Sequence, residues 1–223
     1  MSEDTTFDYL TDPACMPGSS STRMAPAQVL PRLALEETLT PAQMQRIKSS
    51  TGMMLLIKVP SEDWIMPLEE YLATDQPLGC LQFYLKDGSG RRRLSNAGYG
   101  LQTFLEWIAS GKTMVAIAHN PSVDFPKEVI SAVDLTVTLG PPSARLVARA
   151  IRAVTGKRVR PLPDDIAARL GFVDLCAAIR SGSTSAQCVA RLQRAARART
   201  AIEAVPVDVP DINDLHGYGE AKV

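Results

Sequence analysis

Seven residues, Met53-Met54-Leu55-Leu56-Ile57-Lys58-Val59, form an apolar run of strand length between Gly52 and Pro60. A run that does not alternate with polar residues suits a strand covered on both faces, as in a parallel sheet with helices above and below. Further strands are expected at Cys80–Leu85, Met114–Ala118 and Leu135–Leu139. Helical spacing fills the intervals. Trp64, Ile65, Leu68, Tyr71 and Leu72 mark one helix, Leu101, Phe104, Leu105 and Ile108 a second, and Lys127 to Ala132 a third. Pro60-Ser61-Glu62-Asp63 opens the first with acids where a helix dipole favours them, and Pro67 lies in its first turns. The alternation predicts an α/β fold, a small parallel sheet of about four strands flanked by helices and joined by right-handed crossovers.

Beyond Pro142 the pattern is helical only. Segments near 142–155, 163–169, 172–181 and 184–199 are punctuated by Gly156, Pro161, Pro163, Gly171 and Gly182. Upstream, Thr40-Pro41 pairs an N-cap with an N1 proline and opens a short helix. Four regions follow from this: a disordered tail over 1–30, an α/β core over 31–140, an all-helical appendage over 141–200 and a Pro/Val/Asp linker over 201–223.

Charge is balanced overall, with 24 basic and 24 acidic residues among 223. No global field therefore draws the chain to nucleic acid or an anionic membrane. The balance is uneven along the chain. Between Pro141 and Thr200 stand twelve Arg or Lys against Asp164, Asp165 and Asp174, whereas Ala201 to Val223 holds five acids against Lys222. Cys15, Cys80, Cys176 and Cys188 show neither a C-x-x-C pair nor a histidine at ligand spacing, so reduced buried cysteines of a cytoplasmic protein are expected and no metal site. The acidic, Ser/Pro-rich start lacks a signal peptide's basic and apolar regions, and no apolar run approaches the ~18 residues of a membrane span.

A compact sheet followed by a helical appendage resembles the AAA+ ATPase module with its C-terminal lid. Asn120, delivered by the strand Met114–Ala118, looks like the sensor-1 asparagine, and His119 stands beside it. Gly171-Phe172-Val173-Asp174-Leu175 is similar to a lid motif of that family, two intervening residues short. The segment Asp214-Leu215-His216-Gly217-Tyr218-Gly219-Glu220-Ala221-Lys222 looks like the opening of a further AAA module. The resemblance implies an N-terminal part of a larger bacterial AAA+ ATPase, in the direction of the ATP-dependent zinc proteases, with ATP and magnesium bound by the downstream module.

The nucleotide site itself is missing at its expected place. After Met53–Val59 the family would place a glycine-rich loop with Gly-Lys-Ser/Thr, but the chain reads Pro60-Ser61-Glu62-Asp63-Trp64. Carboxylates repel a triphosphate, and backbone amides cradle phosphate only where glycines allow close approach. Ser110-Gly111-Lys112-Thr113 ends like such a loop, yet it precedes a strand rather than following one. Asp87, where a Walker B acid would lie, begins an Asp-Gly turn.

No G-x-S-x-G or H-E-x-x-H occurs, and His119 has no nucleophile motif near it, so neither hydrolase nor zinc-protease chemistry is signalled and no catalytic residue is assigned. Asn120 and His119 remain the candidate ligand-facing pair. Arg91-Arg92-Arg93 reads as the charged tip of a hairpin. Arg145, Arg149 and Arg152 form one helical stripe, and Arg191, Arg194, Arg197 and Arg199 cover much of the last helix. With aromatics at only 5% of residues, stacking partners for nucleic acid are scarce, and an acidic protein surface suits these arginines better. The expectation is a non-catalytic, AAA-like N-terminal module acting in assembly or substrate recruitment, with its own downstream module, neighbouring subunits, a protein substrate or an adaptor as partners. A free-standing small-ligand or nucleotide-binding protein, or a nucleic-acid binder using the arginines, are the alternatives.

Overall fold

A computed structural model describes residues 24–75, 78, 82–86, 92–94, 106, 108–160 and 162–203. Cys15, Cys80, the Asp87–Gly90 turn, Arg91, residues 101–105 of the helix expected from Leu101 through Ile108, and the segment with His216 lie outside these residues. The fold is α/β, a parallel sheet flanked by helices.

The chain begins with helices α1 (Pro26–Thr38) and α2 (Pro41–Ser49), then strand β1 (Met54–Lys58), a 3₁₀ turn over Glu62–Trp64 and helix α3 (Ile65–Asp75). Strands β2 (Gln82–Lys86), β3 (Arg92–Leu94) and β4 (Met114–Ala118) follow. Short helices α4 (Pro121–Asp124) and α5 (Lys127–Ser131) lead to β5 (Leu135–Thr138). The rest is helical: α6 (Ala144–Thr155), α7 (Asp164–Ala168), α8 (Phe172–Ala178) and α9 (Ser185–Glu203).

Strand order is β3-β2-β4-β1-β5. β1 pairs in parallel with β4 and β5 at the centre, with Ile57 opposite both Ile117 and Val137. β2 extends the sheet in parallel beside β4, and β3 closes that edge antiparallel to β2. Arg92 and Arg93, read from sequence as a hairpin tip, thus belong to an edge strand, with Arg93 opposite Leu85.

Alternate residues of β1 and β4 enter two different cores. Leu55, Ile57, Val115 and Ile117 join a large core built with Leu68 and Leu72 of α3, Val29 and Leu30 of α1, Val147 and Ile151 of α6, and Leu175 and Leu192 of the last helices. Met54, Leu56, Met114, Ala116 and Ala118 face the opposite side, covered by Phe125 and Val129. The helical appendage accordingly shares one apolar core with the sheet.

Helix α1 overlaps the expected tail, which corrects the reading of residues 26–30. Two prolines hide it in the sequence. Pro26 occupies N1, where no hydrogen bond is lost. Pro31 sits inside the helix, where a proline costs about 3 kcal/mol. Burial offsets this: Val29, Leu30, Pro31, Leu33, Ala34 and Leu35 are all buried, and a fully buried Leu or Val side chain contributes about 1.5–3 kcal/mol. At the other end α9 continues to Glu203, into the expected linker, while α8 stops at Ala178 rather than 181.

The Ser110–Thr113 stretch ends a helical turn and leads into β4. Gly111 has φ 72°, and its carbonyl accepts the N–H of Gly52, itself at φ 69°, at 2.8 Å. A side chain on Gly52 would stand 3.5 Å from the Gly111 Cα. This glycine pair sets the start of β1 against the start of β4, at the edge of the sheet away from the strand carboxyl ends.

Candidate functional site

In an open α/β sheet, ligands bind outside the strand carboxyl ends where successive connections leave in opposite directions. Here that point lies between β1 and β4. From β1 the chain crosses over β4 to reach β2, with α3 on the large-core face; from β4 it crosses over β1 to reach β5, with α4 and α5 on the other face. The residues delivered to the crevice are Val59 to Asp63 after β1, and His119 and Asn120 after β4.

His119 and Asn120 are both exposed. The Nδ1 of His119 lies 3.1 Å from the carbonyl oxygen of Val59. A carbonyl only accepts, so Nδ1 carries the proton, and in the neutral ring Nε2 holds the lone pair. The same two strand ends are joined again by Val59 N–H donating to Ala118 O at 2.9 Å. Asn120 is the N-cap residue of α4. Its N–H donates to the buried Asp124 carboxylate at 3.1 Å, and its side-chain oxygen accepts from Ser122 at 2.9 Å. The candidate ligand-facing asparagine therefore has its oxygen engaged within its own helix.

The loop after β1 turns toward the appendage. Ser61 donates its hydroxyl to Asp63, which orients that carboxylate, and the other carboxylate oxygen accepts the N–H of Val173 at 3.1 Å. Val173 is the second residue of α8. Gly171, the N-cap residue, has no side chain with which to satisfy that donor. Asp174 reaches back to the Gly171 N–H at 3.0 Å, and Arg199 of α9 donates to Asp174. A Cβ on Gly171 would come within 2.9 Å of the Asp63 carboxylate and 3.0 Å of the Arg199 guanidinium. A side chain there would push the Asp63 carboxylate or the Arg199 guanidinium aside.

Aromatic packing closes the same junction. Trp64, 1% exposed, meets Phe172 edge to face with ring centroids 5.0 Å apart. Cys176, one turn along α8, has its thiol pushed up to about 11, by burial first and by the Asp63 carboxylate second. Cys176 and Cys188 are free thiols. Among the described residues no group of three or more His, Cys, Asp or Glu side chains is placed to hold a metal ion, and no helix is long and apolar enough to cross a membrane.

The arginines divide. Arg149 pairs with Glu36 and Glu37 of α1, tying α6 to the first helix. Arg191 donates to the Ala178 carbonyl at 3.3 Å and to Ser183 at 2.8 Å, serving the end of α8. Arg145, Arg152, Arg194 and Arg197 are exposed. Sequence reasoning missed the Asp63–Val173 link and the part of Arg199. The available signal was Gly171 itself, an N-cap glycine ahead of buried Phe172, which needs an acceptor from elsewhere.

No protein-family model matches the chain, and no curated protein matches its sequence.

Proposed function

We propose that this chain is a non-catalytic AAA-like module that acts in assembly or in recruiting a protein substrate, with ATP hydrolysis carried by another module of the same polypeptide. One observation carries the reading: Asp63 accepts the Val173 N–H. Where a phosphate loop would offer amide hydrogens to a triphosphate, the β1 loop offers a carboxylate, and that carboxylate is already spent on the helical appendage. In a nucleotide-binding module the lid closes on the ligand. In this reading the Asp63–Val173 bond takes the place of such a contact.

Among the arginines singled out in the sequence, Arg145, Arg152, Arg194 and Arg197 are exposed, and their chemistry suits an acidic protein surface. Ligand titration tests the reading. Calorimetry and thermal unfolding with millimolar ATP or ADP and magnesium are expected to show neither heat nor a shift. A ligand at a hundred times its Kd stabilises a protein by about 2.7 kcal/mol. A nucleotide-dependent shift of that size, abolished by His119→Ala, would instead support ligand binding in the β1–β4 crevice through His119.

A further inference from the structure

A second surface lies apart from the crevice. Between α9 and the stretch 158–163 runs a groove of about 520 Å³. Leu162 in its wall is buried, Val159 and Val189 are half-buried, and Arg158 and Arg160 are exposed. No acidic side chain lines it. Among the described residues Arg158, Val159 and Arg160 have no hydrogen-bond partner. Apolar walls beside unpaired arginines suit a short extended peptide that alternates aliphatic and acidic residues.

The chain carries such a peptide. Val205-Pro206-Val207-Asp208-Val209-Pro210-Asp211-Ile212 alternates aliphatic residues with two aspartates and contains no cation. We propose that the groove is occupied by this segment, folded back along α9 so that Asp208 and Asp211 meet Arg158 and Arg160. The reach is sufficient. With about 1.5 Å of rise per residue, Gln193 and Ser185 lie about 15 and 27 Å back from Glu203 along the helix. An extended chain covers about 3.3 Å per residue, so Asp208 reaches about 16 Å and Ile212 about 30 Å. A proline fixes its own φ and disfavours the helical region for the residue before it, so prolines at 206 and 210 lower the ordering entropy of docking. The proposal is independent of the nucleotide question, because none of these residues belongs to the β1–β4 crevice.

Hydrogen–deuterium exchange on the full chain tests it. The expected result is that amides of 207–212 and of Val159 and Arg160 exchange at least about tenfold slower than unstructured chain, equally at high and hundredfold lower protein concentration. Arg158→Glu with Arg160→Glu should abolish the protection of 207–212 while circular dichroism stays unchanged. Adding Asp208→Arg and Asp211→Arg to that variant should restore it. Exchange of 207–212 at the unstructured rate overturns the proposal. So does protection that survives the arginine reversal, which places the segment elsewhere, or protection that vanishes on dilution, which makes the occupant a second copy.

Discussion

Asp63 and Val173 lie 110 positions apart in the chain, yet the carboxylate of one accepts the backbone N–H of the other at 3.1 Å. The contact supplies a helix cap across the junction of sheet and appendage. It also fixes where α8 begins, because Gly171 offers no side chain of its own. An orphan N–H at a helix start is a fixed demand, and the chain meets it with the acid that follows its central strand.

Asp63→Ala should therefore lower stability by about 0.5–2 kcal/mol, the usual worth of an N-cap acceptor, read from urea unfolding. Gly171→Ala should act in the same direction, because its methyl would displace the same carboxylate. The two changes strike one contact, so the double variant is expected to cost less than the sum of the singles. Strict additivity would mean that the cap and the glycine act separately.

Thiol reactivity offers a second measure of the junction. Cys176 holds its proton to about pH 11, through burial first and the Asp63 carboxylate second. At pH 8 it should react with iodoacetamide far more slowly than a free thiol. Asp63→Asn removes the negative charge and should shift the reactivity profile to lower pH. The stability consequence has a definite sign. An unfolded thiol ionises near 9.0, so the folded state binds the extra proton between there and about 11. The stabilisation is complete below pH 9 and is lost as pH rises through that window. Unfolding titrations of the parent and of Cys176→Ala should run parallel below pH 9, offset by the lost packing, and differ in slope above it.

The central sheet was legible because its strands announce themselves twice. Met54 to Ile57 and Met114 to Ala118 are apolar at every position, and buried faces on both sides of a strand demand that composition. Helix α1 was not legible, since Pro26 and Pro31 read as breakers and only the tertiary burial of Leu30 and Leu33 overrides them. The short edge strand at Arg92 was hidden for a related reason: its pairing comes from β2, and three residues carry no period of their own. At the candidate site, the sequence flags the Ser61–Asp63 loop and the Gly171–Leu175 segment separately. Their contact spans too much chain for any local pattern to reveal it. The division of the arginines is equally non-local, since Arg149 depends on where α1 lies and Arg191 on where α8 ends.

Phe172 connects this cap to the core. Its ring meets Trp64 edge to face, and an aromatic pair of this kind contributes about 0.5–1.5 kcal/mol beyond burial. Phe172→Ala is expected to cost about 3–5 kcal/mol, including the cavity left beside Trp64. Phe172→Leu keeps most of the volume and should cost much less. Fluorescence of Trp64 should change in the alanine variant before global unfolding begins in urea. An unaltered spectrum would show that the indole does not depend on α8 for its surroundings.

The arginines separate stability from association. Arg149 bridges α6 to Glu36 and Glu37 while remaining partly exposed, and exposed pairs contribute about 0–1 kcal/mol. Arg149→Ala should therefore lower stability slightly, and the loss should shrink further at high salt. Arg145 and Arg152, on the same helix, are exposed. Reversing both to glutamate should leave the unfolding free energy within about 0.5 kcal/mol of the parent, as surface substitutions do. If the module docks on an acidic partner, the same double reversal should still slow its association, most strongly at low ionic strength. Sedimentation of the chain mixed with an acidic partner protein would report that difference. An unfolding midpoint that fell together with the association would instead assign Arg145 and Arg152 to holding the fold.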